Sequence, residues 1–142
     1  MASGLYNGLV FRTPLEARWA AFFDLAGWRY WTNPAPVGDW QPDFKVEFEC
    51  GHSECGPTHT LLVSVLPANS LASFEGHPCL AHSYGVKGSN GRWLADGGAA
   101  FGNGPHATHW EISHGAGGGI EKVDFRVHNA VQLWEEAGKR LG

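Results

Sequence analysis

The chain is short of cysteine, of net charge and of long apolar runs, and each shortage removes a class of protein. Three cysteines in 142 residues do not close a disulfide framework of the kind that holds small secreted domains together. No stretch approaches the roughly eighteen continuous apolar residues that cross a bilayer. The segment from Met1 to Phe11 lacks the basic stretch and apolar run of a secretory leader. The expectation is therefore a cytoplasmic chain that makes no use of a membrane. Ten Lys and Arg against fourteen Asp and Glu leave a net charge of −4. Nucleic acid is bound by neutralising phosphates with Lys and Arg, so unselective binding is disfavoured and would need a local basic patch.

What the chain does have is a core. Apolar residues make up 43% of it, with seven Trp and eight Phe, enough for one domain spanning residues 1–142. No internal repeat or linker divides it. Thr13, Pro14 and Glu16 form a helix start: a hydroxyl at the N-cap, proline at the first helical position, and a glutamate that closes a capping box. Leu15, Trp19, Phe22, Phe23 and Ala26 then recur at helical spacing, and Gly27 ends the run. This predicts a helix over Thr13 to Ala26.

Trp28 to Thr32 is rich in strand formers, and Asn33 to Pro36 reads as a loop. Phe44, Val46 and Phe48 alternate with Lys45, Glu47 and Glu49, as in a half-buried strand opened by the Pro42-Asp43 step. Leu61 to Leu66 is uniformly apolar apart from Ser64 and suits a central strand covered on both faces. Asn69 or Ser70 caps a short helix through Phe74. Gly88 to Gly104 is glycine-rich and reads as short strands and turns around Arg92-Trp93-Leu94 and Ala99-Ala100-Phe101, and His109 to Ser113 as one more strand. The glycine run at 115–119 lacks the Lys-Ser/Thr ending of a phosphate-cradling loop and reads as a hairpin connection. Val127, Ala130, Val131, Trp134, Ala137 and Leu141 predict a final helix from about Val127 to Leu141.

Four pieces, Tyr6-Asn7-Gly8, Phe11-Arg12-Thr13-Pro14-Leu15-Glu16-Ala17-Arg18-Trp19-Ala20, Phe22-Phe23-Asp24 and Pro42-Asp43-Phe44, resemble the restriction-endonuclease-like superfamily called PD-(D/E)XK. The likeness is to its small phage and actinobacterial members and covers about the first half of the chain. It implies an α/β fold: a mixed central sheet of four or five strands, flanked by the N-terminal and C-terminal helices, with the glycine-rich segment as an insertion walling the site. In that family two strand carboxylates hold a divalent ion, usually magnesium, which binds the scissile phosphate and activates a water. A lysine two residues after the second acid steadies the developing charge.

The resemblance places Glu16 at the helical glutamate and Asp43 at the first strand acid. The second acid and the lysine fall on Ser64 and Leu66, where neither chemistry is possible. Rescue would need Glu47, Glu49 or Lys87 to migrate into the site. Arg12 and Arg18 are candidates for phosphate contact or for solvated surface roles.

Soft ligands form a second group. Cys50, His52, Cys55 and His59 precede the Leu61 run, and His77, Cys79 and His82 follow it. Cys50, Cys55, Cys79 and His82 suit a structural zinc site, with His59 and His77 as substitutes. The alternatives are reduced cysteines buried as small apolar side chains, or a catalytic cysteine served by His59 or His82. His106, His109 and His114 form a weaker grouping, with His109 and Glu111 on one strand face.

Three functions are compatible with these features. The first is a nuclease-like protein that has lost cleavage and binds nucleic acid or a protein partner. The second is an active magnesium- or manganese-dependent nuclease with migrated groups. The third is a small phage-type protein directed at a host defence or nucleic-acid-processing complex through acidity and exposed aromatics.

Overall fold

The computed structural model describes residues 4–49, 58–82, 84–88, 90–114 and 117–141. Helix α1, Pro14–Ala26, begins as its sequence dictates: the Thr13 hydroxyl accepts from the Glu16 amide at 3.2 Å. It ends on Gly27, whose φ of 77° lies in the left-handed region that only glycine enters without strain. Before it lies a hairpin of β1 (Gly4–Tyr6) and β2 (Leu9–Phe11), and after it β3 (Arg29–Thr32), β4 (Phe44–Glu49) and β5 (Thr58–Val65). Short 3-10 turns follow at Leu71–Phe74 and Pro78–Ala81, then the small hairpin of β6 (Val86–Lys87) and β7 (Trp93–Ala95). The chain finishes with β8 (Gly97–Phe101), β9 (Thr108–His114), β10 (Gly117–Glu121), α2 (Val123–Arg126) and α3 (Ala130–Lys139).

The architecture is α/β around one six-stranded mixed sheet in the order β10-β9-β8-β5-β4-β3, not the four or five strands expected. All of its neighbours pair antiparallel except β5 and β8, which run parallel with Val63 beside Ala99. One sheet face meets α1 and α3. Trp19 is fully buried there, 4.4 Å from Trp134 and 4.7 Å from Phe101 between ring centroids, and its indole N–H donates to the Gly102 carbonyl at 2.9 Å. The other face carries a smaller core of Val37, Trp40, Leu62, Phe74, Cys79, Val86, Ala95 and Ala100.

Two sequence expectations change. The glycine-rich segment is not merely a wall beside the site: its Gly97–Phe101 portion is a wholly buried strand at the middle of the sheet. A Cβ on Gly98 would stand 2.2 Å from the Cys79 carbonyl oxygen, so the absence of side chains is what lets the Pro78–Ala81 turn lie against β8. The final helix is also shorter and broken. Val127 takes an extended conformation between α2 and α3, and this break lets Val123, Val127, Ala130, Trp134 and Ala137 all reach the main core. Of the 115–119 glycine run, 117–119 lie in β10, paired with β9, and 115–116 lie outside the described residues.

Candidate functional site

The β4–β5 register sets Phe44 against Val63 and Lys45 against Leu62. Asp43, immediately before β4, therefore falls opposite Ser64 and shares its face, since alternate residues of a strand point the same way. Two hydrogen bonds fix this corner. The Asp43 amide donates to the Val63 carbonyl at 2.7 Å, and the Val65 amide donates to Asp43 Oδ2 at 2.7 Å. Leu66 follows on the same side, its amide bonded to the Phe101 carbonyl at 2.8 Å. Glu16, in the first turn of α1, completes the group and is only 8% exposed.

The residues named from the sequence thus meet at one end of the sheet. Glu16, Asp43, Ser64 and Leu66 line one cavity of about 540 Å³, together with Asp39, Trp40 and His77. A second cavity of about 260 Å³ lies towards Leu9, Val10 and Thr32, and Arg12, Glu16 and Asp43 line both. Those three side chains form the partition between the two cavities.

Arg12 governs that partition. Its guanidinium pairs with Asp43 Oδ1 and stands 3.4 Å from Glu16 Oε2, so one half-open arginine serves both carboxylates. Ser64 is 4% exposed, and its Oγ accepts from the Trp40 indole N–H at 2.8 Å. A hexacoordinate magnesium or manganese wants several free carboxylate oxygens. Here Asp43 has one oxygen on a backbone amide and the other on Arg12, Ser64 is neutral and bonded, and Leu66 has no polar atom. With both of its oxygens bonded, Asp43 offers such an ion no free carboxylate oxygen.

The groups expected to migrate do not assemble here. Glu47 accepts from Arg29 and from the Thr58 hydroxyl, both at 3.4 Å. Glu49 lies six residues beyond Asp43 along an extended strand, roughly 20 Å away. Lys87 is on the β6–β7 hairpin with its ammonium 4.9 Å from the Trp93 ring centroid. Arg18 is also no surface contact for phosphate. Its Nε and Nη2 donate to the Trp134 carbonyl at 3.1 and 2.9 Å, and its guanidinium lies 4.3 Å from the Trp134 ring centroid, clamping α3 onto α1. Burial there lowers the Arg18 pKa.

Among the soft ligands, Cys50, His52 and Cys55 lie outside the described residues. Cys79 is fully buried in the smaller core, and burial pushes its thiol up from 9.0 to about 12. That suits a small apolar side chain and opposes a free nucleophilic thiolate. The His77 ring accepts from the Cys79 amide at 3.1 Å, and burial lowers its pKa. His82 stacks on Trp40 at 5.3 Å, and His59 Nδ1 is 3.2 Å from Asp96 Oδ2. Among the described residues no three His, Cys, Asp or Glu side chains are placed to hold a metal ion. His109 and Glu111 do share a face of β9, where Glu111 accepts from the Tyr84 hydroxyl at 2.8 Å.

Sequence reasoning missed Trp40 as the partner of Ser64 and Arg12 as the counterion of the two acids. The i, i+4 spacing of Arg12 and Glu16 was the available signal for the second. No comparable signal pointed to Trp40.

Two outcomes follow from this geometry. Asp43→Ala leaves the Val65 amide without its acceptor and Arg12 with Glu16 alone, and is expected to cost about 1–3 kcal/mol. Asp43→Asn keeps an acceptor for the amide and should cost about 1 kcal/mol or less. Urea denaturation of both variants measures the difference; equal stabilities would deny Asp43 its capping role. The second concerns Cys79. A thiol with a raised folded pKa stabilises the fold while protonated, so its contribution is complete below pH 9.0 and fades as the pH climbs towards about 12. Melting temperatures across that window should fall less steeply for Cys79→Ala than for the unmodified protein.

No protein-family model matches the chain, and neither a curated protein nor a solved structure matches it.

Proposed function

We propose that this chain is a nuclease-like protein that has given up metal-dependent phosphodiester cleavage and works by binding. The observation that carries the reading is Arg12 between Glu16 and Asp43, on ground where a cleaving enzyme would hold its cation. Around it, Ser64 and Leu66 stand where an acid and a lysine would complete the chemistry, one bonded to Trp40 and the other apolar. A carboxylate pair already sharing a guanidinium is a poor trap for a divalent ion and for the water that such an ion would activate. What remains is a shaped corner whose side chains are held by one another, suited to stability and contact rather than turnover.

The test is incubation of single- and double-stranded DNA and RNA with the protein and magnesium or manganese, beside Asp43→Asn. Intact substrates in both reactions are the expected result. Cleavage by the unmodified protein that vanishes in Asp43→Asn would replace this reading with an active nuclease.

A further inference from the structure

The sheet face opposite α1 carries a construction that occurs twice. On β3 and β4, Trp31 is the register partner of Lys45, with the ammonium 5.6 Å from the indole centroid. On β6 and β7, Trp93 is the register partner of Lys87, at 4.9 Å. Both indoles are open to solvent, Trp31 46% and Trp93 67% exposed, whereas Trp19, Trp28, Trp40, Trp110 and Trp134 are buried. An exposed cation–π contact returns only about 0.5–1 kcal/mol, a weak reason to keep two large indoles in water. Each pair also borders a hollow. One of about 310 Å³ is lined by Trp31, Pro34, Lys45, Leu62 and Leu94, and one of about 410 Å³ by Tyr84, Trp93, Leu94 and Asp96 among others. Leu94 belongs to both, so the hollows adjoin.

We infer that this face binds single-stranded nucleic acid, with unpaired bases stacked on Trp31 and Trp93 and backbone phosphates against Lys45 and Lys87. Exposed indoles, each with a lysine ammonium over its ring, offer a single strand both of the groups it needs, because every base has a π-face and every linkage a negative charge that can draw the ammonium aside. The carboxylates nearby are already engaged. Glu47 takes Arg29 at 3.4 Å, Asp96 accepts from the Thr60 amide at 2.8 Å and lies against His59, and Glu111 takes the Tyr84 hydroxyl. A duplex hides its base faces and offers only dense phosphate, a poor match for a chain of net charge −4. The inference goes beyond the reading of the Arg12 corner, since the two surfaces share no lining residue.

Fluorescence anisotropy with labelled oligo-dT and oligo-U of about twenty nucleotides, longer than a typical single-strand footprint, tests it at low salt. Both strands are expected to bind more tightly than a duplex of the same length. Trp31→Ala and Trp93→Ala should each weaken binding about tenfold or more. Lys45→Ala/Lys87→Ala should flatten the logarithmic salt dependence by about one for each lysine. Both indoles are exposed, so these variants leave the core intact; Trp31→Phe keeps a stacking ring and should retain most of the affinity. Absence of oligonucleotide binding, duplex binding of equal strength, or unchanged affinity in both tryptophan variants would each overturn the inference. So would a protein partner that uses these tryptophans when no oligonucleotide binds. Cleavage is scored separately, so failure here leaves the reading of the Arg12 corner standing.

Discussion

Arg12→Ala/Ser64→Glu/Leu66→Lys is expected to cleave DNA or RNA in magnesium or manganese under conditions in which the unmodified protein leaves both intact, a gain of about a hundredfold or more over the detection limit being the scale of one positioned catalytic group. Each change answers one deficit. Ser64→Glu supplies a carboxylate directly across from Asp43, in a cavity of about 540 Å³ that accommodates the longer side chain. The Trp40 indole N–H, now 2.8 Å from Ser64 Oγ, remains available to donate to it. Leu66→Lys supplies a cation on the same side of the strand. Arg12→Ala removes the guanidinium from between Glu16 and Asp43, freeing one oxygen of each for metal. Ser64→Glu/Leu66→Lys with Arg12 retained should be far less active, because the Arg12 guanidinium still competes with the ion. Manganese binding by the triple variant, followed by isothermal titration, checks the first step independently of turnover. A triple variant that binds manganese yet cleaves nothing would sink the nuclease-like reading.

Gly98→Ala should be among the most damaging single substitutions in the protein, and Gly98→Val should prevent folding. The strained left-handed backbone that usually protects glycine is not involved. The new Cβ would stand 2.2 Å from the Cys79 carbonyl oxygen and 3.3 Å from the Trp40 ring, and the first of these is backbone that cannot rotate away. Moving it would also break the hydrogen bond from the Gly98 amide to the His82 carbonyl at 3.0 Å. Overpacking of this kind costs about 3 kcal/mol or more, equivalent to a fall in melting temperature of roughly 10 °C for a chain of this size. Gly88→Ala is the control: its Cβ would meet only the Asn90 and Leu94 side chains, at 3.2 Å and beyond, and should be nearly neutral. Equal melting temperatures for the two alanine variants would show that the Pro78–Ala81 turn does not press on β8.

Elements whose local chemistry agrees with their packing could be read from the chain alone. Thr13, Pro14, Glu16 and Gly27 announce both ends of α1, and the alternation from Phe44 to Glu49 becomes a strand with its apolar side inward. Strand β8 was legible only at its Ala99 to Phe101 end, and its place at the middle of the sheet was hidden for the opposite reason. Gly97, Gly98 and two alanines have low strand propensity and little side chain to pattern, and their burial is dictated by a turn some twenty residues earlier in sequence coming to rest on them. The α2–α3 break was equally hidden, because apolar spacing does not reveal that Val127 must leave the helix to reach the core. At the site, Glu16, Asp43, Ser64 and Leu66 line one cavity. The role of Arg12 emerges only when the hairpin before α1 swings the guanidinium over the acids, and that of Trp40 only when its indole turns under β5.

The parallel seam between β5 and β8 divides the sheet into two antiparallel meanders, β3-β4-β5 and β8-β9-β10. Each meander closes between strands that are neighbours in sequence, whereas the seam joins Leu61 to Gly97 and Val65 to Phe101 across all the chain between. Loop-closure entropy falls on that one junction, and non-local strand pairing is the slow event in folding. Refolding should therefore wait on the docking of two half-sheets, and since β8 offers only Ala99, Ala100 and Phe101 to hold the join, the rate should respond sharply to changes at Phe101.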